Sequence, residues 1–426
     1  MIAMRNQLIT LISKSNLVFF LISLSWGIKT LFVIFIAKNE LMLEPDSMKY
    51  LALSKNFASS YMSLNPTSLQ DSFLITPGYP LFLNILSVFG VKGIILFQVT
   101  MQAVVQILVF KLVLSHTNIL CANISILLLL LDSASNIENL HLLSETLFTF
   151  LLVISLYLNR HKTGSWIAIV SGLLLSFAIY VRPIGQVIIP LLILLLLFSH
   201  SRKRNVVTIL VTLALTISPW IIRNEIVVGV PQFSGIQSFN LLYFEGAGAR
   251  AIAESSPLLT VQLDEKNLEN AALAGEATIS SKVRYENSRG LDLIMKYPAS
   301  WVQLHIIGIG KILFGPSLAT IKKISQNFQN PMSALVEAII LTMSMISAIL
   351  LSFGTLLWLM MFIRRKNLNY CSFIFLVFFF MLAASSAANA YSRFRAPLSP
   401  LMVILVAEII WLQNNRRFKR SANDEN

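Results

Sequence analysis

Residues 17–37 read LVFFLISLSWGIKTLFVIFIA, an apolar run of 21 residues that contains a single charge, Lys29. A helix that rises about 1.5 Å per residue can cross the roughly 30 Å hydrocarbon core of a bilayer with such a run. Similar runs recur along the chain, which is 56% hydrophobic and only 12% charged. Soluble domains carry about twice that charged fraction. Because the runs lack the alternation of a membrane barrel, the sequence predicts an all-α, polytopic membrane protein.

The charge distribution predicts ten crossings and an orientation. Four basic clusters, at 160–162, 202–204, 364–366 and 416–420, fall on one side if the glycine-broken segment 299–320 lies in the membrane interface. Basic loops mark the cytoplasmic side, so we expect both termini to be cytoplasmic. The net charge of +13 therefore indicates membrane orientation and not nucleic-acid binding. The predicted spans are about 17–37, 92–114, 118–133, 143–159, 165–181, 184–198, 205–222, 333–363, 371–388 and 397–413, with a short apolar helix at 80–89.

Three regions follow from this topology. Residues 1–222 form an N-terminal transmembrane bundle with a first outer loop at 38–79, and residues 332–426 form C-terminal helices and a basic cytoplasmic tail. Between them, residues 223–331 form an outer region that we expect to cap the mouth of the bundle. Its helical patterns lie around 263–277 and 280–297. Sixteen of the twenty acidic residues lie between positions 40 and 292, in or at the edge of the predicted outer segments.

The first outer loop carries a candidate reactive carboxylate. In LEPDSMKYLAL, residues 43–53, Asp46 and Tyr50 are four positions apart and can share one face of a short helix. One interpretation is that Asp46 caps a helix that begins near Met48. The other is that Asp46 does chemistry at the membrane surface. A second mark, TPGYPLF at 76–82, forces a turn before an apolar helix.

An acidic residue also lies at the outer end of the fourth predicted span. In LHLLSETLF, residues 140–148, Glu145 falls about half a turn inside the span. A charge at that depth is costly unless it is paired or faces a wet cavity. Alternatively, Ser144 and Glu145 open the helix, where a carboxylate suits the helix dipole. His141 is a neighbour that could act as a ligand or a proton carrier.

Four arginines lie on the side where the orientation rule leaves few of them. Arg182 is in YVRPIG, Arg223 is in PWIIRN, and Arg393 and Arg395 are in AYSRFRAP. Guanidinium groups match phosphate oxygens, so together the arginines indicate a phosphate site at the outer face. Contact with lipid head groups is the alternative.

Several other chemistries lack their motifs. Gly308, Gly310 and Lys311 do not have the spacing or the terminal Ser/Thr of a nucleotide-binding loop, so we expect no nucleotide cofactor. No Ser-His-Asp elbow and no H-E-x-x-H pattern occurs. Cys121 and Cys371 both fall in predicted spans and have no metal-ligand spacing.

Taken in order, the motifs resemble those of the family 39 glycosyltransferases. These are bacterial relatives of the dolichyl-phosphate-mannose protein mannosyltransferases and of the aminoarabinose lipid A transferase. The patterns D-S-x-x-Y, TPGYP, SET-L-F, RP-x-G, PW-x-x-RN and S-R-F-R-x-P occur in the family's order between about 46 and 400. The last third of the chain matches poorly outside SRFRAP.

The resemblance implies a GT-C-type bundle of about ten, and at most twelve, transmembrane helices with an outer catalytic loop. It implies transfer of a sugar from a polyprenyl-phosphate donor to a lipid, glycan or protein acceptor, at the periplasmic face of a bacterial plasma membrane. Asp46 then occupies the catalytic position, as a general base. Many family members have Asp-Glu where this chain has Asp46-Ser47.

The remaining candidates take supporting roles under the same resemblance. A divalent ion is a further expectation, with Asp46, Glu44 and His141 as its candidate ligands. Two other functions stay open, a flippase for a lipid-linked glycan and a polymerase or ligase of surface polysaccharide. The candidate substrate- or phosphate-binding residues are Tyr50, Glu145, Arg182, Arg223, Arg393 and Arg395.

Overall fold

The computed structural model describes residues 15–66, 68–162, 164–198, 203–275, 278–365 and 370–424. Every regular element in those ranges is a helix, which confirms the predicted all-α class. Arg202 and Lys366, two members of the predicted basic clusters, lie outside the described residues, as do the side chains of the cluster at 416–420.

The first half of the chain forms most of the helical bundle. Its helices are α1 (Ser15–Leu31), α2 (Pro45–Lys55), α3 (Leu69–Leu74), α4 (Gly78–Ile85), α5 (Gly90–Leu114), α6 (Ile119–Leu131), α7 (Ser133–Asn136), α8 (Glu145–His161), α9 (Ser165–Val181), α10 (Ile188–Phe198) and α11 (Lys203–Val228). Short 3₁₀ or π turns occur at Phe32–Ile36, Asn39–Met42, Ala58–Met62, Ser87–Phe89, Glu138–Leu140 and Pro183–Val187.

The second half adds residues 223–331, for which we keep the predicted name outer region, and then returns to the bundle. Its helices are α12 (Ile236–Asn240), α13 (Ala247–Ala253), α14 (Leu258–Ala272), α15 (Ile279–Lys296), α16 (Pro298–Phe314), α17 (Leu318–Ser325), α18 (Met332–Arg365), α19 (Tyr370–Ala384) and α20 (Ser399–Asp424). A π turn at Leu241–Gly246 and a 3₁₀ turn at Ser392–Arg395 complete it.

The bundle has two chemically different ends. At one end, which we call the basic end, the Arg160 guanidinium lies 5.0 Å from the ring centroid of Tyr370 and its Nε donates to Ser115 Oγ at 3.4 Å. The other end, which we call the site end, holds Asp46 at the start of α2 and Glu145 at the start of α8. Within the described chain, α1, α5, α6, α8 to α11 and α18 to α20 run alternately between these ends.

Length and composition make this a multi-pass membrane protein. Four shorter apolar helices and one pair bent by 75° accompany the long helices, and that pair is formed by Ile119–Leu131 with Ser133–Leu140. The described helices long and apolar enough to cross a bilayer alone are Asn16–Ile36, Ser87–Leu114, Lys203–Val228, Pro298–Ser325 and Met332–Arg364.

One of these helices, α16, does not run from one end of the bundle to the other. Near its start, the Trp301 indole donates to Glu245 Oε2 of the outer region at 2.8 Å. At its end, the carbonyls of Ile312 and Gly315 accept from Arg395 Nη1 at 2.9 and 2.8 Å. Both ends therefore contact elements of the site end. This packing is compatible with the predicted interfacial position of 299–320, which stays a prediction.

Two of the helix boundaries that differ from the prediction carry candidate site residues. Glu145 is the first residue of α8 and not half a turn inside it. Helix α11 continues to Val228, six residues beyond the predicted end of the span, so Arg223 lies within it. The extra turns are held because Trp220 Nε1 and Asn224 Nδ2 both donate to the carbonyl of Phe233, at 2.9 and 3.2 Å.

Candidate active site

The start of α2 is built around a proline and a serine. Pro45 is the first helical residue, where its fixed φ suits a helix and its missing N–H costs nothing. The N–H of Glu44 donates to Ser47 Oγ at 2.9 Å, and Ser47 Oγ donates to the carbonyl of Leu142 at 2.7 Å. Glu44 therefore occupies the N-cap position. The interpretation that Asp46 caps a helix beginning near Met48 is wrong, because Pro45 starts the helix earlier.

Asp46 is left free to face the outside of the bundle. Its side chain is 45% exposed, and its Oδ2 accepts from Arg393 Nη2 at 2.7 Å. Arg393 comes from the turn before α20, 347 residues further along the chain. The pair is thus half open, with a carboxylate that solvent or a substrate can reach.

Arg393 links Asp46 to a second, buried carboxylate. Glu145 Oε1 lies 3.3 Å from Arg393 Nε and 2.5 Å from Arg182 Nη1, and only 2% of the Glu145 side chain is exposed. Two guanidinium groups offset the large cost of burying one carboxylate. We call Asp46, Arg393, Glu145 and Arg182 the charge chain, which is formally neutral.

Aromatic rings pack around the two arginines. The Phe394 ring centroid lies 5.6 Å from the guanidinium carbon of Arg182 and 5.5 Å from that of Arg393. The ring of Tyr391, which is exposed, lies 4.7 Å from the Arg393 carbon. Such stacking fixes planar guanidinium groups in place while it leaves their N–H edges available.

Tyr50 lies on the inner side of the same site. Its ring packs edge-on against Tyr79, with centroids 4.9 Å apart. Burial raises the pKa of the Tyr50 hydroxyl, and the negative charges of Glu145 and Asp46 raise it further, against the opposing effect of Arg182. The phenol therefore stays protonated at neutral pH and can act as a hydrogen-bond donor.

The TPGYP motif positions part of the site, because it packs α4 against the end of α9. Tyr79 is fully buried, and its hydroxyl donates to Gln98 Oε1 at 2.7 Å. A Cβ on Gly78 would lie 2.5 Å from the backbone of Tyr180 and Val181, so α4 can approach the end of α9 only because Gly78 has no side chain. The next residue after α9 is Arg182, so this close contact positions one arginine of the charge chain.

A second cationic group faces Glu44. Lys323 Nζ lies 2.7 Å from Glu44 Oε1, and the buried His141 Nε2 lies 3.9 Å from the same oxygen. Burial lowers the pKa of His141 to about 4, and Glu44 opposes this effect only in part. His141 is therefore neutral at physiological pH. Nearby, Glu138 is buried and its Oε1 accepts from Thr320 Oγ1 at 3.0 Å.

The three candidate metal ligands do not form a common ligand set. Asp46 is turned to Arg393, whereas Glu44 is turned to Lys323. Across the described parts of the chain, no three His, Cys, Asp or Glu side chains gather as a metal site would require. The residues present therefore do not fit the divalent ion that the sequence resemblance implies.

Two of the four predicted arginines lie away from the charge chain. Arg395 is fully buried and its Nη2 lies 2.9 Å from Asp132 Oδ1, so its guanidinium is paired inside the protein and does not face Asp46. Arg223 stacks on Trp220 at 4.7 Å and donates to Asn224 Oδ1 at 3.1 Å. The site instead combines Asp46, Tyr50, Glu145, Arg182 and Arg393.

Sequence reasoning missed several members of the site. Ser144 Oγ accepts from Arg182 Nη1 at 3.3 Å, and Lys323 pairs with Glu44. Tyr391 and Phe394 lie inside the quoted motif AYSRFRAP. Their closeness in sequence to Arg393 could have predicted that they pack against it. Lys323 carried no such signal, because its partner lies 279 positions away.

No family model matches this chain, and no curated protein matches it. Among solved structures, the chain is similar to archaeal oligosaccharyltransferase AglB from Archaeoglobus fulgidus in complex with an inhibitory peptide and a dolichol-phosphate, at 11% identity and a TM-score of 0.47. It is also similar to the apo form of the oligosaccharyltransferase from the same organism, at 13% identity and a TM-score of 0.49. Each match covers 96% of this chain and 52% of the other, so the chain spans about half the length of those structures.

Proposed function

We propose that this protein is a GT-C-type membrane glycosyltransferase that moves a sugar from a polyprenyl-phosphate donor to an acceptor hydroxyl at the periplasmic face of a bacterial plasma membrane. The observation that carries the proposal is the charge chain, in which an exposed carboxylate is joined through Arg393 to the buried pair of Glu145 and Arg182. The ordered sequence motifs support the same reaction class. The sugar and the acceptor are left open.

Asp46 supplies the base in the proposed reaction. The acceptor oxygen forms a bond to the anomeric carbon while the bond from that carbon to the phosphate oxygen breaks. The acceptor proton passes to the Asp46 carboxylate, and the bonding pair leaves with the polyprenyl phosphate. A base placed in this way contributes roughly 10²–10⁴-fold to the rate. The half-open position of Asp46 allows an acceptor to reach it.

The arginines balance the charge on the leaving phosphate. Glu145 Oε1 engages one nitrogen from each of Arg182 and Arg393, and a guanidinium carries five N–H donors. Both groups can therefore bind phosphate oxygens while they remain anchored. Fixed donors of this kind stabilise charge that develops in the transition state. The Tyr50 hydroxyl is a further donor on the same side.

Apolar side chains at the site end fit a lipid-linked donor. Met48, two residues after Asp46, is exposed on α2. Val88 and Phe89, just before α5, are exposed as well. A polyprenyl chain in the bilayer can pack on such side chains while its phosphate reaches the arginines. A flippase would need a polar path between the two ends, whereas the charge chain lies at one end alone.

The proposal is tested by the release of lipid phosphate from synthetic polyprenyl-phosphate pentoses and hexoses, with purified full-length protein in nanodiscs and a membrane extract as acceptor. We expect Asp46→Asn to lower the turnover by about 10²-fold or more. Asp71→Asn is the matched control, because Asp71 is an exposed carboxylate of the same outer loop.

Undiminished turnover in Asp46→Asn would falsify the assignment of the base. Entry of labelled lipid-linked glycan into sealed vesicles without cleavage of the sugar–phosphate bond would favour the flippase. Cleavage only of pyrophosphate-linked donors would favour the polymerase or ligase.

A further inference from the structure

A cavity of about 250 Å³ lies where α14 and α15 of the outer region meet α3 of the first outer loop. We call it the cap cavity. It shares no lining residue with the charge chain. Its lining includes Phe73 of α3, Lys266, Glu269 and Asn270 of α14, and Lys282 and Glu286 of α15.

Two carboxylates of the cap cavity are buried with unmet hydrogen-bonding capacity. The exposed fraction is 1% for Glu269 and 2% for Glu286. Glu269 Oε2 accepts from the Tyr243 hydroxyl at 2.7 Å and from Lys266, but Glu269 Oε1 has no hydrogen-bond partner among the described residues. Glu286 Oε1 also has none there, and Lys282 Nζ stands 3.8 Å from it. Buried carboxylate oxygens need donors, so the cavity is built for a ligand that carries them.

The charges around the cavity are balanced. Lys266 and Lys282 oppose Glu269 and Glu286, so the lining favours neither a strong anion nor a strong cation. Burial raises the pKa of Glu286 to about 7, an effect that Lys282 only partly reverses, so near neutral pH this carboxyl is protonated part of the time and can then donate as well as accept. A neutral ligand with several hydroxyl groups satisfies both signs, because each hydroxyl can donate to a carboxylate and accept from an ammonium group.

The remaining lining suits a sugar ring. Asn270 adds an amide, and Phe73 offers an apolar wall for the C–H face of a ring. Pockets for drug-sized ligands run from about 300 to 1,000 Å³. A cavity of about 250 Å³ is thus suited to hold one monosaccharide unit.

We propose that the cap cavity binds one neutral monosaccharide unit of the acceptor. This assignment as an acceptor site rests on the proposed function. The binding itself does not, because it requires no residue of the charge chain. Helix α3 belongs to the same outer loop as Asp46, so an acceptor held in the cap cavity is tethered to the loop that carries the base.

Saturation-transfer NMR with the full-length protein in nanodiscs tests the binding. The probes are the methyl glycosides of glucose, galactose, mannose and N-acetylglucosamine, together with inorganic phosphate. We expect at least one glycoside to receive saturation, and Glu286→Gln to weaken its binding about tenfold or more. Asp292→Asn is the matched control, because Asp292 is an exposed carboxylate on the same helix. A second variant, Lys282→Met, should weaken binding in the same direction.

A purely structural Glu286 predicts a different pattern. Glu286→Gln would then lower the thermal midpoint, whereas a ligand-binding Glu286 leaves the midpoint equal or higher, since a buried charge has been removed. The proposal is overturned if no glycoside binds, if phosphate alone binds, or if Glu286→Gln binds as the unaltered protein does. If neither a glycoside nor phosphate binds, ordered water fills the polar cavity.

Parallel turnover assays separate this proposal from the proposed function. Asp46→Asn should keep glycoside binding while it loses turnover. Turnover without glycoside binding in the unaltered protein would overturn the cap cavity alone. Glycoside binding without any lipid-phosphate release would overturn the transferase and leave a saccharide-binding cap.

Discussion

Arg393 and Arg395 are two residues apart and have opposite environments. Arg393 contacts two carboxylates at the half-open site, whereas Arg395 is fully buried and paired with Asp132. The 3₁₀ turn at Ser392–Arg395 separates them, because it directs the two side chains to different sides of the backbone. Ser399 Oγ also donates to Asp132, at 2.6 Å. The buried pair therefore holds the turn in place, and the turn presents Arg393 to Asp46.

His141 allows a test at the scale of one residue. Burial lowers its pKa to about 4 from an ordinary value of 6.5, so the folded protein binds this proton less readily than the unfolded chain. The resulting stability is fully present above pH 6.5 and is lost as the pH falls through about 4. The shift corresponds to roughly 3 kcal/mol.

We therefore expect His141→Gln to flatten the acid side of the stability profile. Thermal midpoints of the detergent-solubilised protein between pH 4 and 7.5 measure this change. His161→Gln, at an exposed histidine of the basic end, is the control. An unaltered acid slope in His141→Gln would contradict the burial argument.

At the scale of elements, the spacing of Asp46 and Tyr50 correctly predicted a shared helix. The role of Ser47 was beyond prediction. Adjacent helical residues point about 100° apart, so a residue beside an outward-facing Asp46 must point elsewhere. The hydroxyl of Ser47 donates to the carbonyl of Leu142, which lies 95 positions away, so tertiary packing sets this contact. A carboxylate at position 47 would therefore point into the bundle and not toward Asp46.

The packing of α4 against α9 can be tested at the scale of elements. The sequence TPGYP predicted a turn before an apolar helix at 80–89, yet the helix already begins at Gly78, which packs directly on the backbone at the end of α9. A methyl group on Gly78 has no room, and a backbone neighbour cannot rotate away. We expect Gly78→Ala to destabilise the protein by about 1–3 kcal/mol. It should also lower the turnover, because the displaced segment ends at Arg182.

Gly310→Ala is the matched control for this experiment. A Cβ on Gly310 meets nothing within 4 Å, and alanine favours a helix over glycine by up to about 1 kcal/mol. Gly310→Ala should therefore keep its lipid-phosphate release and show an equal or higher denaturation midpoint, whereas both quantities should fall in Gly78→Ala. Equal behaviour of the two variants would show that the contact between α4 and α9 is not tight in solution.

At the scale of the whole molecule, hydrophobic run length was a good guide to which segments join the bundle. Runs such as 165–181 were predicted with their observed ends, because their limits are marked by polar residues and a proline. The cap cavity could not be predicted. It forms where α3 meets α14 and α15, and no local pattern reports that Glu269 and Glu286 converge there.

The membrane topology is the last prediction. If the alternating helices all cross and α16 does not, every site-end position faces the periplasm and every basic-end position faces the cytoplasm. Single cysteines can report this, because the native Cys121 and Cys371 are buried and should react little with an impermeant maleimide. In intact spheroplasts we expect Asp71→Cys to be labelled and Lys162→Cys to be protected until the membrane is opened.

Labelling at position 326 distinguishes a crossing α16 from one that does not cross. Gln326 is exposed just beyond α17, and Lys323, three residues earlier, contacts Glu44 at the site end. A non-crossing α16 leaves Gln326→Cys open to the maleimide from outside, as for Asp71→Cys. A crossing α16 places it in the cytoplasm, which would separate Lys323 from Glu44 and require a break in α18. Labelling of Gln326→Cys only after the membrane is opened would therefore contradict both the ten-crossing topology and the packing of α17 against the site.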